Sequence, residues 1–182
     1  MNDDRWRDRV YVRDSQIDGM GVFARRNFAT GETVFVRGEM RPVTPDQPLD
    51  ESAGELERHC DWIEGGKQVY LAFPERHVNH SCEPNAFVRF EGDGAVYVAL
   101  QPLHANEEIT TSYSVNLWDG EAWECSCGSE RCLGTVPGSF YELPLERQIE
   151  LMPLLAAWFI REHPKEYAAL REAAGLPPED DD

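Results

Sequence analysis

The stretch Arg76-His77-Val78-Asn79-His80-Ser81-Cys82-Glu83-Pro84-Asn85 restricts this chain more than any other. Pro84 fixes its own φ and keeps Glu83 out of the α region. Asn79 and Asn85 carry amides that bond nearby backbone, which favours a shaped loop over a helix. Val69-Tyr70-Leu71-Ala72-Phe73 before it and Ala86-Phe87-Val88-Arg89-Phe90 after it read as strands. The sequence therefore predicts a loop between strands, loaded with amide, imidazole and thiol groups. Taken alone, the same residues also fit an ordinary Asn/Pro turn.

Other segments carry their own signals. Val10-Tyr11-Val12-Arg13 alternates like a strand, and Ile17-Asp18-Gly19-Met20-Gly21-Val22-Phe23-Ala24 follows it. The two glycines there permit positive φ or a close backbone approach, or a plain hairpin turn. Ala29-Thr30-Gly31-Glu32 reads as a turn, Thr33-Val34-Phe35-Val36 as a strand, and Gly38-Glu39 follows. Residues 41–58 read as a loop, with one short helix near Ser52 to Cys60. Ala95-Val96-Tyr97-Val98-Ala99-Leu100 is an apolar strand. After it, Ala105-Asn106-Glu107-Glu108-Ile109-Thr110-Thr111-Ser112-Tyr113 reads as a turn and then a strand ending in tyrosine. Asn106 suits a left-handed turn position. Leu145, Ile149, Met152, Leu155 and Phe159 recur at helical spacing, interrupted by Pro153, and a second helix is predicted from Pro164 to Ala174, stopping at Gly175. Pro177 to Asp182 is an acidic, frayed end.

Five cysteines occur, three of them in Cys125-Ser126-Cys127-Gly128-Ser129-Glu130-Arg131-Cys132. The N-terminus lacks an apolar signal region, so clustered cysteines favour a metal over disulfides. Three thiols cannot close a tetrahedral zinc site, and Cys82 or Cys60 could supply the fourth ligand. A redox pair or free buried thiols are the competing readings.

The ten-residue stretch resembles the asparagine-histidine-serine-cysteine-x-proline-asparagine signature of SET-domain protein lysine methyltransferases. Gly19-Met20-Gly21-Val22-Phe23-Ala24 is similar to the family's first motif, and Gly38-Glu39 resembles the pair that follows its next strand. Glu107 to Tyr113 resembles its last core motif, with Thr111 where an aromatic is usual. Trp123-Glu124-Cys125-Ser126-Cys127-Gly128 through Cys132-Leu133-Gly134 resembles the post-SET segment. The resemblance covers about residues 10–134, with the motifs in order.

The resemblance implies a mainly β (α+β) fold, a β-clip of small sheets with a pseudoknot, followed here by C-terminal helices. The expected divisions are a SET domain over 8–116, a post-SET zinc segment over 117–136, and a C-terminal helical extension with an acidic tail over 137–182. It implies methyl transfer from S-adenosyl-L-methionine to a lysine side-chain amine in a protein. Tyr113 would be catalytic. Gly19, Met20, Gly21, Arg76, Asn79, His80, Tyr113 and Trp123 would line the cofactor. Cys82, Cys125, Cys127 and Cys132 would hold one Zn²⁺, leaving Cys60 as a buried thiol. Plainer roles stand beside these: a surface ion pair for Arg76, a structural part for His80, packing for Trp123.

Charge narrows the partners. The formal net charge is −17, with no basic stripe for a nucleic-acid backbone, so direct nucleic-acid binding is not expected. An acidic surface favours a substrate lysine within a basic segment, although solubility alone accounts for it equally well. The apolar run from Leu154 to Ile160 is too short to span a bilayer, so no membrane association is expected. The expected location is cytoplasmic, or nuclear in a eukaryote. Two other functions compete: a SET-fold binding module without strong catalysis, and a zinc-stabilised interaction or nucleic-acid-binding domain.

Overall fold

The computed structural model describes residues 6–91 and 94–177. The chain divides into two compact units, one formed by Met1–Ser112 with Ser126–Cys132, the other by Tyr113–Cys125 with Leu133–Asp182.

The first unit is built from small sheets. Its strands are β1 (Val10–Asp14), β2 (Met20–Ala24), β3 (Thr33–Val36), β4 (Arg41–Pro42), β5 (Cys60–Ile63), β6 (Lys67–Tyr70), β7 (Asn79–His80), β8 (Ala86–Glu91), β9 (Gly94–Ala99) and β10 (Glu108–Thr111). They form sheets in the orders β1-β2-β10-β7, β3-β9-β8 and β4-β6-β5. The expected mainly β class of small sheets is the one found. A central strand covered on both faces reads as a continuous apolar run, which is why Ala95-Val96-Tyr97-Val98-Ala99 forms the middle of its sheet with every one of these residues buried. Phe35 on β3 stacks on Tyr97 with ring centroids 4.2 Å apart. In the first sheet β10 lies between β2, which it meets antiparallel, and β7, which it meets parallel. Val22 and Ile109 pair there and are both fully buried.

Several local expectations need adjustment. The strand expected at Val69 to Phe73 begins at Lys67 and ends at Tyr70. Its start is set by a hairpin from β5, an unforeseen strand, through Gly65 and Gly66 at φ 76° and 64°. Two consecutive left-handed residues are a conformation that glycine adopts without penalty. The helix expected near Ser52 to Cys60 is two single 3₁₀ turns, Glu51–Ala53 and Glu57–His59. Asp50 caps the first through the N–H groups of Ser52 and Ala53, and left-handed Gly54 stops it. The central loop is not wholly irregular, since Asn79–His80 forms β7. The strand expected to end in Tyr113 stops at Thr111.

The second unit pairs β11 (Trp123–Glu124) with β12 (Thr135–Val136), and adds helices α1 (Leu145–Leu151), α2 (Ala157–Glu162) and α3 (Pro164–Ala173). Pro153 lacks a donor N–H, and the helical run breaks around it into a 3₁₀ turn, Met152–Leu154, before α2 begins. Gly175 follows α3 at φ 69°, as expected of a helix stop. Phe140, Leu143, Leu151, Phe159 and Leu170 make its core. Complete burial of a ring such as Phe159 stabilises by about 1.5–3 kcal/mol. Residues 178–182 of the acidic end lie outside the described residues. Among the described residues no helix is long and apolar enough to cross a membrane.

One buried ion pair braces the approach to the central loop. Glu75 opens the turn Glu75–His77 just before β7, and its side chain is wholly buried. Arg37 Nε lies 2.5 Å from Glu75 Oε1, while Arg37 Nη2 reaches Asp61 Oδ2 at 2.9 Å. Tyr97 Oη donates to Glu75 Oε1 at 3.2 Å. Burial pushes the Glu75 carboxyl up to about 7, against the pull of Arg37. The folded chain therefore holds this proton more tightly than the unfolded chain. The stabilisation is complete below pH 4.5 and is lost as pH rises through about 7. Glu75→Gln keeps the volume and removes the titration. Denaturant unfolding across that window should show the wild type losing stability with rising pH more steeply than Glu75→Gln, and equal slopes would contradict the assignment.

Candidate functional site

The central loop is hooked to β10 along its length. Asn79 and His80 pair with Thr110 and Thr111 in the parallel ladder, and Ser81 N–H donates to Thr111 O at 2.9 Å. At the far end Asn85, buried, does the work of a ladder with its side chain. Its Oδ1 accepts from Thr110 N–H at 2.8 Å, and its Nδ2 donates to Glu108 O at 2.7 Å and Glu107 Oε1 at 3.2 Å. The amide was expected to bond local backbone; it reaches residues more than twenty positions away instead.

The glycine loop lies on the other side of β10. Gly19 has φ 44°, Met20 opens β2 half-exposed, and Gly21 is buried. Asn79 Nδ2 donates to Asp18 O and Met20 O, each at 3.1 Å, and to Glu108 Oε1 at 2.8 Å. Ser15 Oγ donates to the same carboxylate at 2.7 and 2.8 Å. A Cβ at Gly21 would run into Glu108 Oε1, so any side chain there would push the carboxylate from its present place. Met20, Gly21, Asn79 and His80 are thus gathered on one sheet, with Gly19 in the loop directly before it. Arg76 belongs to the turn before β7, with its guanidinium 5.6 Å from the ring centroids of Tyr70 and Phe73.

Tyr113 and Trp123 belong to the second unit. Tyr113 is 48% exposed, two residues beyond the end of β10, and Trp123 is half-buried on β11 opposite Val136. Sequence reasoning missed Ser15 and the roles of Glu108 and Asn85. The paired acids were visible only as part of a motif, and nothing in Ser15 marks it.

Four thiols gather as well. The Sγ atoms of Cys82, Cys125, Cys127 and Cys132 all lie within 4.8 Å of one another, and none forms a disulfide. Cys125 is the residue at which the chain passes from the second unit to the first. Four thiolates about 2.3 Å from a tetrahedral Zn²⁺ would sit about 3.8 Å apart, so the set fits that ion. Cys82 N–H points at Cys127 Sγ at 3.5 Å, the kind of donor that supports a thiolate. His80 Nε2 lies 3.4 Å from Cys82 Sγ. Cys60 stands outside the group on β5, where burial pushes its thiol up.

The buried Asn85 gives a direct check on this architecture. Asn85→Ala would strand Thr110 N–H and Glu108 C=O, each worth about 1–3 kcal/mol when left unpaired. Chemical denaturation should show a loss of that order, and an unchanged midpoint would mean the hooks are dispensable.

Residues 19–114 match the family model for the SET domain. Among curated proteins, histone-lysine N-methyltransferase SETD1 of Drosophila melanogaster is 31% identical over 139 residues, covering 67% of this chain and 8% of that protein. Histone-lysine N-methyltransferase 2B of Homo sapiens is 31% identical over 134 residues, 68% of this chain and 5% of the relative. Histone-lysine N-methyltransferase SETD1B of Homo sapiens is 32% identical over 136 residues, 67% and 7%. This chain spans less than a tenth of the length of each.

Proposed function

The chain belongs to the SET-domain family, and from that premise we propose that it transfers a methyl group from S-adenosyl-L-methionine to the side-chain amine of a lysine in a protein substrate. The observation that carries this reading is the strand order β2-β10-β7, which sets the glycine loop and the Asn79-His80 pair on either side of the strand leading to Tyr113. In the Gly19-Met20-Gly21 segment, glycines allow backbone to approach a bound cofactor closely. Asn79, His80, Arg76 and Trp123 are assigned to the same cofactor.

Bound S-adenosylmethionine supplies an electrophilic methyl on a sulfonium centre. The protein must present a neutral amine in line with it. Free lysine has a pKa of about 10.4, so the substrate must shed a proton, which a desolvated channel favours. Tyr113 is assigned to orient the amine and face its oxygen toward the methyl carbon. Both effects act on the transition state more than on the ground state. Tyr113→Phe is expected to bind S-adenosylmethionine nearly normally and to lose on the order of 10²-fold in single-turnover rate, by analogy with removing one positioned donor. Equal rates would favour a SET-fold binding module, a reading that Thr111 in place of an aromatic also supports.

The substrate fitted by a −17 chain is a lysine in a basic segment. Incubation with labelled S-adenosylmethionine and a cell extract should label lysines flanked by basic residues. Label on acidic sequences would overturn that preference, and no label would count against the activity.

We assign one Zn²⁺ to Cys82, Cys125, Cys127 and Cys132. Such an ion would tie the central loop to the cysteine segment and add its binding energy to folding. Metal analysis of purified Cys82→Ser should show reduced zinc while Cys60→Ser retains it, and full zinc in Cys82→Ser would refute the ligand set.

A further inference from the structure

We propose that Glu108 is a positioning residue for the cofactor loop, holding Gly19-Met20-Gly21 in shape through Ser15 and Asn79; this rests on the methyl-donor reading of that loop. The five residues between β1 and β2, Ser15 to Gly19, must turn the chain and present backbone to a ligand. Such a loop is soft unless something outside it fixes both ends. The structure supplies that fixation from one carboxylate.

Ser15 stands at the start of the loop. Its N–H donates to Gly19 O at 2.9 Å, and its Oγ accepts from Ile17 N–H at 2.9 Å while donating to both oxygens of Glu108. Asn79 holds the other end, giving Nδ2 to the carbonyls of Asp18 and Met20 and to Glu108 Oε1. One acid on the central strand therefore anchors a hydroxyl before the glycines and an amide after them. Bonds to a charged acceptor are stronger than those between neutral groups. The two backbone carbonyls that Asn79 engages flank Gly19 directly, so the orientation of the peptide groups at 18–20 follows from where Glu108 holds the amide. Gly21 completes the device, since a Cβ there would push the carboxylate from its present place beside β2.

Glu108 touches neither the proposed methyl nor the amine, so its loss should appear in cofactor affinity and not in the chemical step. Glu108→Ala is expected to raise the KM and the equilibrium dissociation constant for S-adenosylmethionine about tenfold, with kcat at saturating cofactor within about threefold of wild type. Glu108→Gln keeps an acceptor oxygen for Ser15 and Asn79 and should restore most of the affinity. Gly21→Ala should weaken binding by forcing the carboxylate aside. In Gly21→Ala/Glu108→Ala the two losses should not add, because both remove the same anchor. Equilibrium binding and steady-state kinetics on the full chain decide the matter. If wild type fails to bind S-adenosylmethionine, the proposed function falls. If wild type binds and Glu108→Ala binds equally well, or loses only thermal stability, the positioning role falls. Should Glu108→Ala not fold, Ser15→Ala removes a donor from the same carboxylate: a raised KM supports the role and an unchanged KM overturns it.

Discussion

The side chain of Asn85 carries more of this architecture than its size suggests. It stands in for a missing strand, giving Thr110 N–H an acceptor and Glu108 C=O a donor at the start of β10, where the parallel ladder with β7 is only beginning. A two-residue strand such as β7 has too few hydrogen bonds to be stable alone. With Asn85 closing one end and the Asn79–Thr110 pair the other, the intervening Ser81-Cys82-Glu83-Pro84 is pinned against β10. That presents Cys82 to the cysteine segment and keeps Asn79 turned toward the glycine loop. Removing one buried amide partner costs the desolvation of what it leaves behind, which is why such a short element can be held firmly.

Electrostatics follow the same economy. A chain with 34 acids and 17 bases must put most of its negative charge in water, and the acids that are withdrawn have defined partners. Glu75 meets Arg37 and Tyr97 beneath the turn that leads into the loop. Glu107 accepts from His104 N–H and meets Asn85. Glu108 meets Ser15 and Asn79. Each of these acids meets the central loop or the turn leading into it, so the polar groups inside the first unit serve the site more than the core.

The parts legible in the sequence were those where pattern and geometry are local. The run Ala95 to Ala99 announced an apolar strand, Asn106 a left-handed turn, found at φ 70°, and Pro153 the break between helices. The ordered motifs pointed to the family, and the cysteine spacing to a group short of one thiol, which either Cys82 or Cys60 could supply; the resemblance implied Cys82, and Cys82 is the one that lies with Cys125, Cys127 and Cys132. What escaped was long-range. No periodicity shows that Ser15 would meet Glu108, or that Asn85 would reach past its own turn to β10. The strand β5 was hidden because Cys60-Asp61-Trp62-Ile63 is short and half-exposed, and its existence depends on the paired glycines after it. The expected helix before it lost to Asp50 and Gly54, which open and close a single turn.

The turn before β10 also limits how the chain can change. Tyr11 Oη holds Asn106 Oδ1 at 2.9 Å, Asn106 N–H meets Ala24 O, and Asn27 Oδ1 takes Ala105 N–H, so the turn is bound on three sides. Directly after it come two glutamates whose duties differ: Glu107 faces the turn and Asn85, Glu108 the glycine loop. Successive side chains on a strand point to opposite faces. If β10 slipped by one residue to absorb an insertion or deletion between His104 and Glu107, its side chains would change faces and neither acid would meet its present partners. The stretch from 43 to 59, which follows β4 and is held by isolated 3₁₀ turns, has no such parity to lose. Length variation in this chain is therefore open in that insert and closed at the β10 turn, where counting residues matters more than which residues they are.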